Sequence, residues 1–303
     1  MIHVTSFYLF KEMTRERAQE LEKRLRVFSS SMRGLILLGT EGVNGTVSGS
    51  EESIAEFKQV LQSELDAVIE FKDSVTDRHP FRAFRLRLRK EIVSLGRPDL
   101  VPQGPSNHLS PKEWHDVLSN EDVVVIDTRN TYETDIGKFK NAIDPRIEEF
   151  SAFPEKLKEM GLKKDQKILI YCTGGIRCEK AILGMNEQGY NNVFQLKGGI
   201  LEYIKEFPDQ HFDGECFVFD HRVAVDQKLN PSETYRLCPH CGQPADQKID
   251  CVRCETKAVV CKSCLEKSNS YATCSKNCAH HERIQSNSRK PHTDALVGRR
   301  PVS

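Results

Sequence analysis

Two hydrophobic rhythms alternate over the first hundred residues. "HVTSFYLF" (3–10) is rich in β-branched and aromatic residues, as strands are. From residue 14 the apolar positions fall at Ala18, Leu21, Leu25 and Phe28, one face of a helix over 14–27. Thr14 precedes it with Arg17 three residues on, which makes only a partial cap. "GLILLG" and "NGTVSG" read as short strands on either side of the turn-rich "GTEGVNG". A second helix over 51–65 puts Ile54, Phe57 and Leu61 on one side, and strands are expected at 66–72 and 82–95.

That order, βαββαβ with an added strand, is the split βαβ of an α+β ferredoxin-like domain, assigned to residues 1–100. Gly39, Gly42 and Gly45 match no phosphate-loop fingerprint and read as hairpin geometry. "GRPDLVPQGPSNHLSP" (96–111) holds four prolines and two glycines, a linker composition. Beyond it "VVVIDTR", "FPEKLKEMG", "KILIYCTG", "EKAILGMNEQGY" and "VFQLKGGI" alternate strand with helix. Unbroken Val/Ile runs mark strands covered on both faces, so residues 108–213 are expected to form a parallel α/β sheet. Residues 214–281 are cysteine-rich, and 282–303 form a polar tail expected to be disordered.

At 303 residues the chain has room for about two domains, or three if one is small. Lys plus Arg balances Asp plus Glu at 44 each, so a polyanion would have to be met by a local basic patch. The first residues lack the basic and long apolar segments of a secretory signal, and no apolar run approaches a membrane span. A cytoplasmic protein with no membrane partner is therefore expected. In that reducing setting eleven cysteines point to metal ligation or catalysis rather than disulfides. None precedes Cys172, and eight fall between Cys238 and Cys278.

"KILIY-CTGGIR-CEKAILGM" is strand, tight loop and helix. Such a loop lies at the carboxyl end of a strand, where α/β sheets bind ligands. Gly174 and Gly175 let the backbone N–H groups of Cys172, Thr173, Gly174, Gly175 and Ile176 turn inward as an anion nest above a helix N-terminus. A cysteine at the first position should carry a depressed pKa, and Arg177 closes the ring with a fixed positive charge. Cys172 and Arg177 are thus the candidate catalytic residues. Cys178 opens the helix, either as an auxiliary thiol or as packing.

Cys172-Thr-Gly-Gly-Ile-Arg177 resembles the C-x-x-G-x-R loop of rhodanese domains. Asp127, Arg129, Glu133, Gly137 and Ala142 match the family's upstream segment, with Lys138 where His is frequent. Asp127 and Arg129 are on that basis possible auxiliary site residues. Cys172 and Arg177 enclose four residues, as in sulfur-handling rhodaneses; the related dual-specificity phosphatases enclose five. With "EGVNGT", both cysteines of "YCTGGIRCEKA" and the terminal cysteine cluster, the chain up to about residue 281 resembles the rhodanese-domain tRNA uridine hydroxylases. That resemblance implies formation of 5-hydroxyuridine at wobble position 34 in the anticodon loop of tRNA, with molecular oxygen as co-substrate.

Two further features bear on this expectation. In "FRAFRLRLRKEIVSLGR" Phe84, Leu86 and Leu88 alternate with Arg85, Arg87 and Arg89, and Arg82 and Lys90 flank them. An arginine row on one strand face can follow an RNA backbone. Cys238/Cys241, Cys251/Cys254, Cys261/Cys264 and Cys274/Cys278 supply four ligand pairs, enough for one or two structural zinc ions; the spacing leaves their pairing open. No flavin, NAD or haem motif is legible. Cys172, as thiolate or persulfide, adding to C6 of uracil would make C5 electron-rich and able to attack an electrophilic oxygen. Two other readings compete: a sulfurtransferase carrying a persulfide on Cys172, and a non-catalytic RNA-binding scaffold.

Overall fold

The structure, a computed structural model, describes residues 1–104 and 107–288, and divides into a unit of residues 1–232 and a smaller one from Glu233 on. The first unit begins with β1 (Ile2–Phe10), α1 (Arg15–Leu25), β2 (Arg33–Gly39), β3 (Gly42–Gly49), α2 (Glu51–Leu65), β4 (Phe71–Thr76) and β5 (Phe84–Leu88). The sheet order is β4-β1-β3-β2-β5, with β5 an edge strand parallel to β2. Leu21, Leu25, Phe57 and Leu61 of the helices pack on Phe7, Ile36, Val43 and Val47, so one sheet face is covered. Thr14 Oγ1 accepts from the Arg17 N–H, completing the partial cap. Gly39 and Gly42 flank the β2–β3 hairpin as expected.

Two strand boundaries differ from expectation. The strand expected at 66–72 is β4, five residues later, because Asp66 takes a left-handed conformation at the end of α2. The strand expected at 82–95 stops at Leu88. Ile92 and Leu95 are buried beyond it, Leu95 against the core of the α/β domain, so packing overrides strand continuation.

The second domain contains β6 (His108–Leu109), α3 (Pro111–Asn120), β7 (Val124–Asp127), α4 (Thr131–Thr134), β8 (Gly137–Phe139), α5 (Phe153–Glu159), β9 (Ile168–Tyr171), α6 (Ile176–Glu187), β10 (Val193–Leu196) and α7 (Gly199–Glu206). Its parallel sheet has the order β6-β10-β9-β7. Both faces are buried. Ile126, Ile168 and Ile170 pack toward α5 and α6, while Val125, Leu169 and Tyr171 pack with Trp114, Ile200 and Tyr203. The expected linker ends earlier than residue 111: His108 and Leu109 pair with β10, and Ser110 caps α3 in a capping box.

The chain does not leave this domain at 213. β11 (Phe212–Gly214) pairs with β8, and β12 (Cys216–Phe217) with β13 (Ala224–Val225). Cys216, Val218 and Val225 complete the core that holds Trp114, so Cys216 is a packing residue. The His221 N–H donates to the Pro80 carbonyl at 2.9 Å and Arg222 to Ser74 Oγ at 3.3 Å, tying this segment to the first domain.

The smaller unit holds β14 (Arg236–Leu237), β15 (Pro244–Ala245), β16 (Gln247–Asp250), β17 (Lys257–Val260), α8 (Lys262–Lys267) and α9 (Lys276–Ser288). Residues 282–288, expected within the disordered tail, continue α9, since neither glycine nor proline interrupts 276–290. The rest of that tail, 289–303, lies outside the described residues.

Candidate active site

The apolar strand β9 ends at Cys172, and the chain turns through Thr173–Gly175 into α6. Gly175 takes φ +101°, a conformation that favours glycine, and its N–H donates to Cys172 Sγ at 3.0 Å. A second helix secures the turn: the N–H groups of Ile200 and Leu201 donate to the Cys172 and Thr173 carbonyls at 3.0 and 3.2 Å. Gly199 is needed there, because a Cβ on it would stand 2.6 Å from each of those oxygens. The "KGGI" turn thus supports the loop from below.

Cys172 is fully buried. Burial raises its pKa, but the Cys178 thiol, the Arg177 charge and the Arg177 and Gly175 N–H groups oppose it, and the thiol is lowered to about 5. Burial and then the Cys172 sulfur push the Cys178 thiol well up. Of the two thiols it is Cys172 that the loop favours as thiolate, with Cys178 packed beside Thr128 Oγ1 at 3.7 Å.

Arg177 does not close the ring as a free charge. Its guanidinium forms a buried bidentate pair with Glu133 at 2.5 and 2.8 Å, and Thr173 Oγ1 bonds both, to Glu133 at 3.1 Å and Arg177 at 3.3 Å. Burial alone would raise the Glu133 carboxyl; the Arg177 charge and hydrogen bonds hold it below the usual carboxylate range. Arg177 thus braces the loop through Glu133 and Thr173 while its charge still acts on Cys172. Asp127 and Arg129 form another buried pair, with contacts at 2.7 and 2.9 Å, and Arg129 also donates to the Gly137 carbonyl at 2.6 Å. They fasten β7 to β8.

The loop is roofed by residues that carried no motif signal. Tyr8 and Lys72 stand on the sheet face away from α1 and α2, as the β1–β4 register (Ser6 opposite Lys72) requires. The Lys72 ammonium donates to the Gly174 carbonyl and lies 5.3 Å from the centroid of the Tyr8 ring. Tyr8 donates to Glu179 at 3.2 Å, and its hydroxyl would lie 2.9 Å from a Cβ on Gly175. His108 meets the same Glu179 oxygen at 3.0 Å. Lys180, completely buried, bridges Glu41 at 2.8 Å and Glu91 at 2.5 Å, and Glu41 also accepts from the Ile92 N–H. Glu41 lies in "EGVNGT" and Lys180 follows Cys178 by two, so these two motifs form one interdomain joint. Pattern analysis could have flagged them only as acids and bases embedded in apolar surroundings.

Arg85 and Arg87 lie on the same helix-free face, opposite Leu35 and Leu37. Arg82, Arg89 and Lys90 are exposed but lie outside the strand, so the regular row has two members rather than three.

In the smaller unit the cysteines interleave. Cys238, Cys241, Cys261 and Cys264 form one cluster, and Cys251, Cys254, Cys274 and Cys278 the other, each with sulfurs within 4.8 Å of one another. Contacts of 3.5 Å (Cys241–Cys261), 3.6 Å (Cys254–Cys274) and 3.7 Å (Cys274–Cys278) are far from a disulfide bond of about 2.05 Å. They fit the edge of about 3.8 Å that a tetrahedron of Zn–S bonds of about 2.3 Å requires. Both clusters could hold a metal ion. His240 is not a member: its ring bonds the Thr273 carbonyl at 2.9 Å and packs on Tyr271.

Comparison with known proteins finds three matched segments, the last of which begins at 213 and runs across the division at 232/233. Residues 2–92 match a family described as the UPF0176 acylphosphatase like domain, 110–206 the rhodanese-like domain, and 213–279 the rhodanese C-terminal segment. The tRNA uridine(34) hydroxylase of Bdellovibrio bacteriovorus is 47% identical over 282 residues, 92% of this chain and 81% of that one. Its namesakes in Acinetobacter baylyi (39%, covering 87% of this chain and 85% of that one) and Wolbachia pipientis (37%, 86% and 93%) match at comparable length. Similarity of this extent, over the roofed Cys172 loop and the domains that build it, establishes that the chain belongs to the tRNA uridine(34) hydroxylase family.

Proposed function

We propose that this chain hydroxylates C5 of the uridine at position 34 of tRNA, with Cys172 as the nucleophile and molecular oxygen as co-substrate. The observation that carries the reading is the Cys172 sulfur: a thiol lowered to about 5, accepting from the Gly175 N–H. As a thiolate, Sγ adds to C6 of uracil, and the C5=C6 electron pair moves toward C5 and O4. The enriched C5 bonds one atom of dioxygen as a C5-peroxide, and a two-electron donor with two protons cleaves the O–O bond, leaving C5–OH and releasing the second oxygen atom as water. Loss of the C5 proton then expels the thiolate and restores the double bond. An unpaired anticodon base can be splayed into such a site at small cost.

Nucleoside analysis of tRNA from cells with and without the chain tests the function. 5-Hydroxyuridine should appear only with it, and an accumulation of 2-thiouridine instead would favour sulfur transfer.

The RNA path we infer runs along the helix-free sheet face, from Arg85 and Arg87 toward Tyr8. Arg82, Arg89 and Lys90 extend the positive charge beyond the strand, and all five side chains are exposed. Replacing Arg85 and Arg87 together by Ala should weaken tRNA binding and flatten the plot of log affinity against log salt by about 0.7 for each phosphate no longer neutralised. A slope unchanged from the parent would remove these arginines from the interface.

The two cysteine clusters are assigned one structural zinc each. The smaller unit's buried apolar core is Ala245, Val260 and three of the cysteines, with Ile249, Val259, Leu265 and Tyr271 half-buried against it, a core small enough that metal is expected to supply much of its stability. Elemental analysis should find two zinc ions per chain, and chelation should open 233–288 to proteolysis while 1–232 resists. Equal resistance with and without chelator would contradict this. No helix among the described residues is long and apolar enough to cross a membrane, and we take the protein to act in the cytoplasm, where its tRNA substrate resides.

A further inference from the structure

The roof over Cys172 contains a cation that the loop motif does not account for. Arg177, at the position where a rhodanese loop would present its charge, lowers the Cys172 thiol through its field, but its guanidinium N–H groups are committed to Glu133 in a bidentate buried pair and to Thr173. Lys72 has no such partner. Lys72 is half-buried as a residue, and its ammonium makes no salt bridge with any described carboxylate; Glu70, Glu179 and Glu202 act on it only at longer range. One of its three N–H donors is used, on the Gly174 carbonyl, and the Tyr8 ring covers one side. A Cβ placed on Gly174 would lie 3.5 Å from Nζ, so the ammonium rests on the bare backbone of the loop, within the field of the Cys172 sulfur.

We propose that Lys72, contributed by the N-terminal domain, is a catalytic residue of the Cys172 site: its ammonium balances the thiolate in the free protein and hydrogen-bonds O4 of the target uracil in the reaction. The proposal rests on the nucleophilic role given to Cys172 above. When the Sγ–C6 bond forms, the C5=C6 pair is delocalised through C4 onto O4, and that oxygen becomes the site of negative charge. The two unused N–H donors of Lys72 meet it there, with no proton transferred and no external reactant. Collapse of the enolate, attack from C5 and expulsion of the sulfur return Lys72 to its starting state. The acylphosphatase-like domain then supplies half of the chemistry as well as the RNA-facing surface.

Other charges face the pair from every neighbouring element: Tyr8 from β1, Glu70 just before β4, Glu133 from α4, Arg177, Cys178 and Glu179 from α6, and Glu202 from α7. Burial and Glu179 push the Tyr8 phenol well up, so it stays neutral, and burial pushes the Lys72 ammonium down. Removal of Lys72 therefore leaves the thiolate facing a net acidic roof.

The test uses the full-length protein. The rate at which iodoacetamide alkylates Cys172 is followed by mass spectrometry of its peptide across pH, in parent, Lys72→Met and Lys72→Arg proteins. In the parent the rate should reach half its plateau near pH 5. Lys72→Met should move that midpoint up by about 1–3 units and cut kcat about 100-fold, with KM for tRNA little changed. Lys72→Arg should restore the midpoint. If Lys72→Met does not fold, Lys72→Gln replaces it with the same expectation. An unmoved midpoint with unchanged kcat in a folded variant overturns the proposal. Failure of the nucleophile reading itself is seen separately, as product formed by Cys172→Ser.

Discussion

Replacing Lys180 with Met should destabilise the 1–232 unit by about 3–5 kcal/mol, the cost of leaving buried charge without its partner. Lys180 is fully buried between Glu41 and Glu91, which come from the hairpin of the first domain and the segment after β5. Each carboxylate has further donors, the Ile92 N–H for Glu41 and the Gly96 and Arg97 N–H groups for Glu91. With the ammonium gone these backbone bonds remain, but two negative charges face each other without a cation. The denaturation midpoint should fall accordingly. Glu41→Gln and Glu91→Gln added to Lys180→Met should recover part of the loss, because the charges are then removed together. Since the joint also holds Tyr8 and Lys72 over the loop, Lys180→Met should lower activity even at temperatures where it is folded. A stability within 1 kcal/mol of the parent, as expected for exposed pairs, would mean that the joint contributes little to domain docking.

Much of this could be read from the chain. The period of apolar positions located α2 to the residue, and the unbroken Val/Ile runs pointed to a parallel sheet buried on both faces. Cys172 stood out because a glycine pair and an arginine at fixed offsets build a nest by backbone geometry alone. Local pattern could not give the partners of charged groups. Arg177 read as an open cation because Glu133, 44 residues earlier, is brought to it only by the fold. Lys72 carried no motif signal, since its contact with the Gly174 carbonyl spans 102 residues of sequence. The interleaving of the cysteine pairs is equally tertiary: spacing fixes which two sulfurs share a turn, not which turns meet. Composition did not show how residues 214–232 pack, where Cys216, Val218 and Val225 complete the core of the α/β domain.

The largest expected effect on chemistry is that of Cys172→Ser. A serine hydroxyl keeps the size and the Gly175 donor but stays protonated at neutral pH, so it cannot add to C6 at a useful rate. The fold should survive, because Ile200, Leu201 and the Arg177–Glu133 pair hold the loop through groups the substitution does not touch. Activity should drop below detection rather than by a modest factor, since no other depressed thiol stands in the loop; the Cys178 thiol is pushed the opposite way. Mass spectrometry of nucleosides from tRNA of cells that carry only the Cys172→Ser protein is the most direct measurement. Loss of 5-hydroxyuridine at position 34 while parent protein restores it is the predicted result, and an undiminished level with the variant would contradict the assignment of Cys172 as the nucleophile.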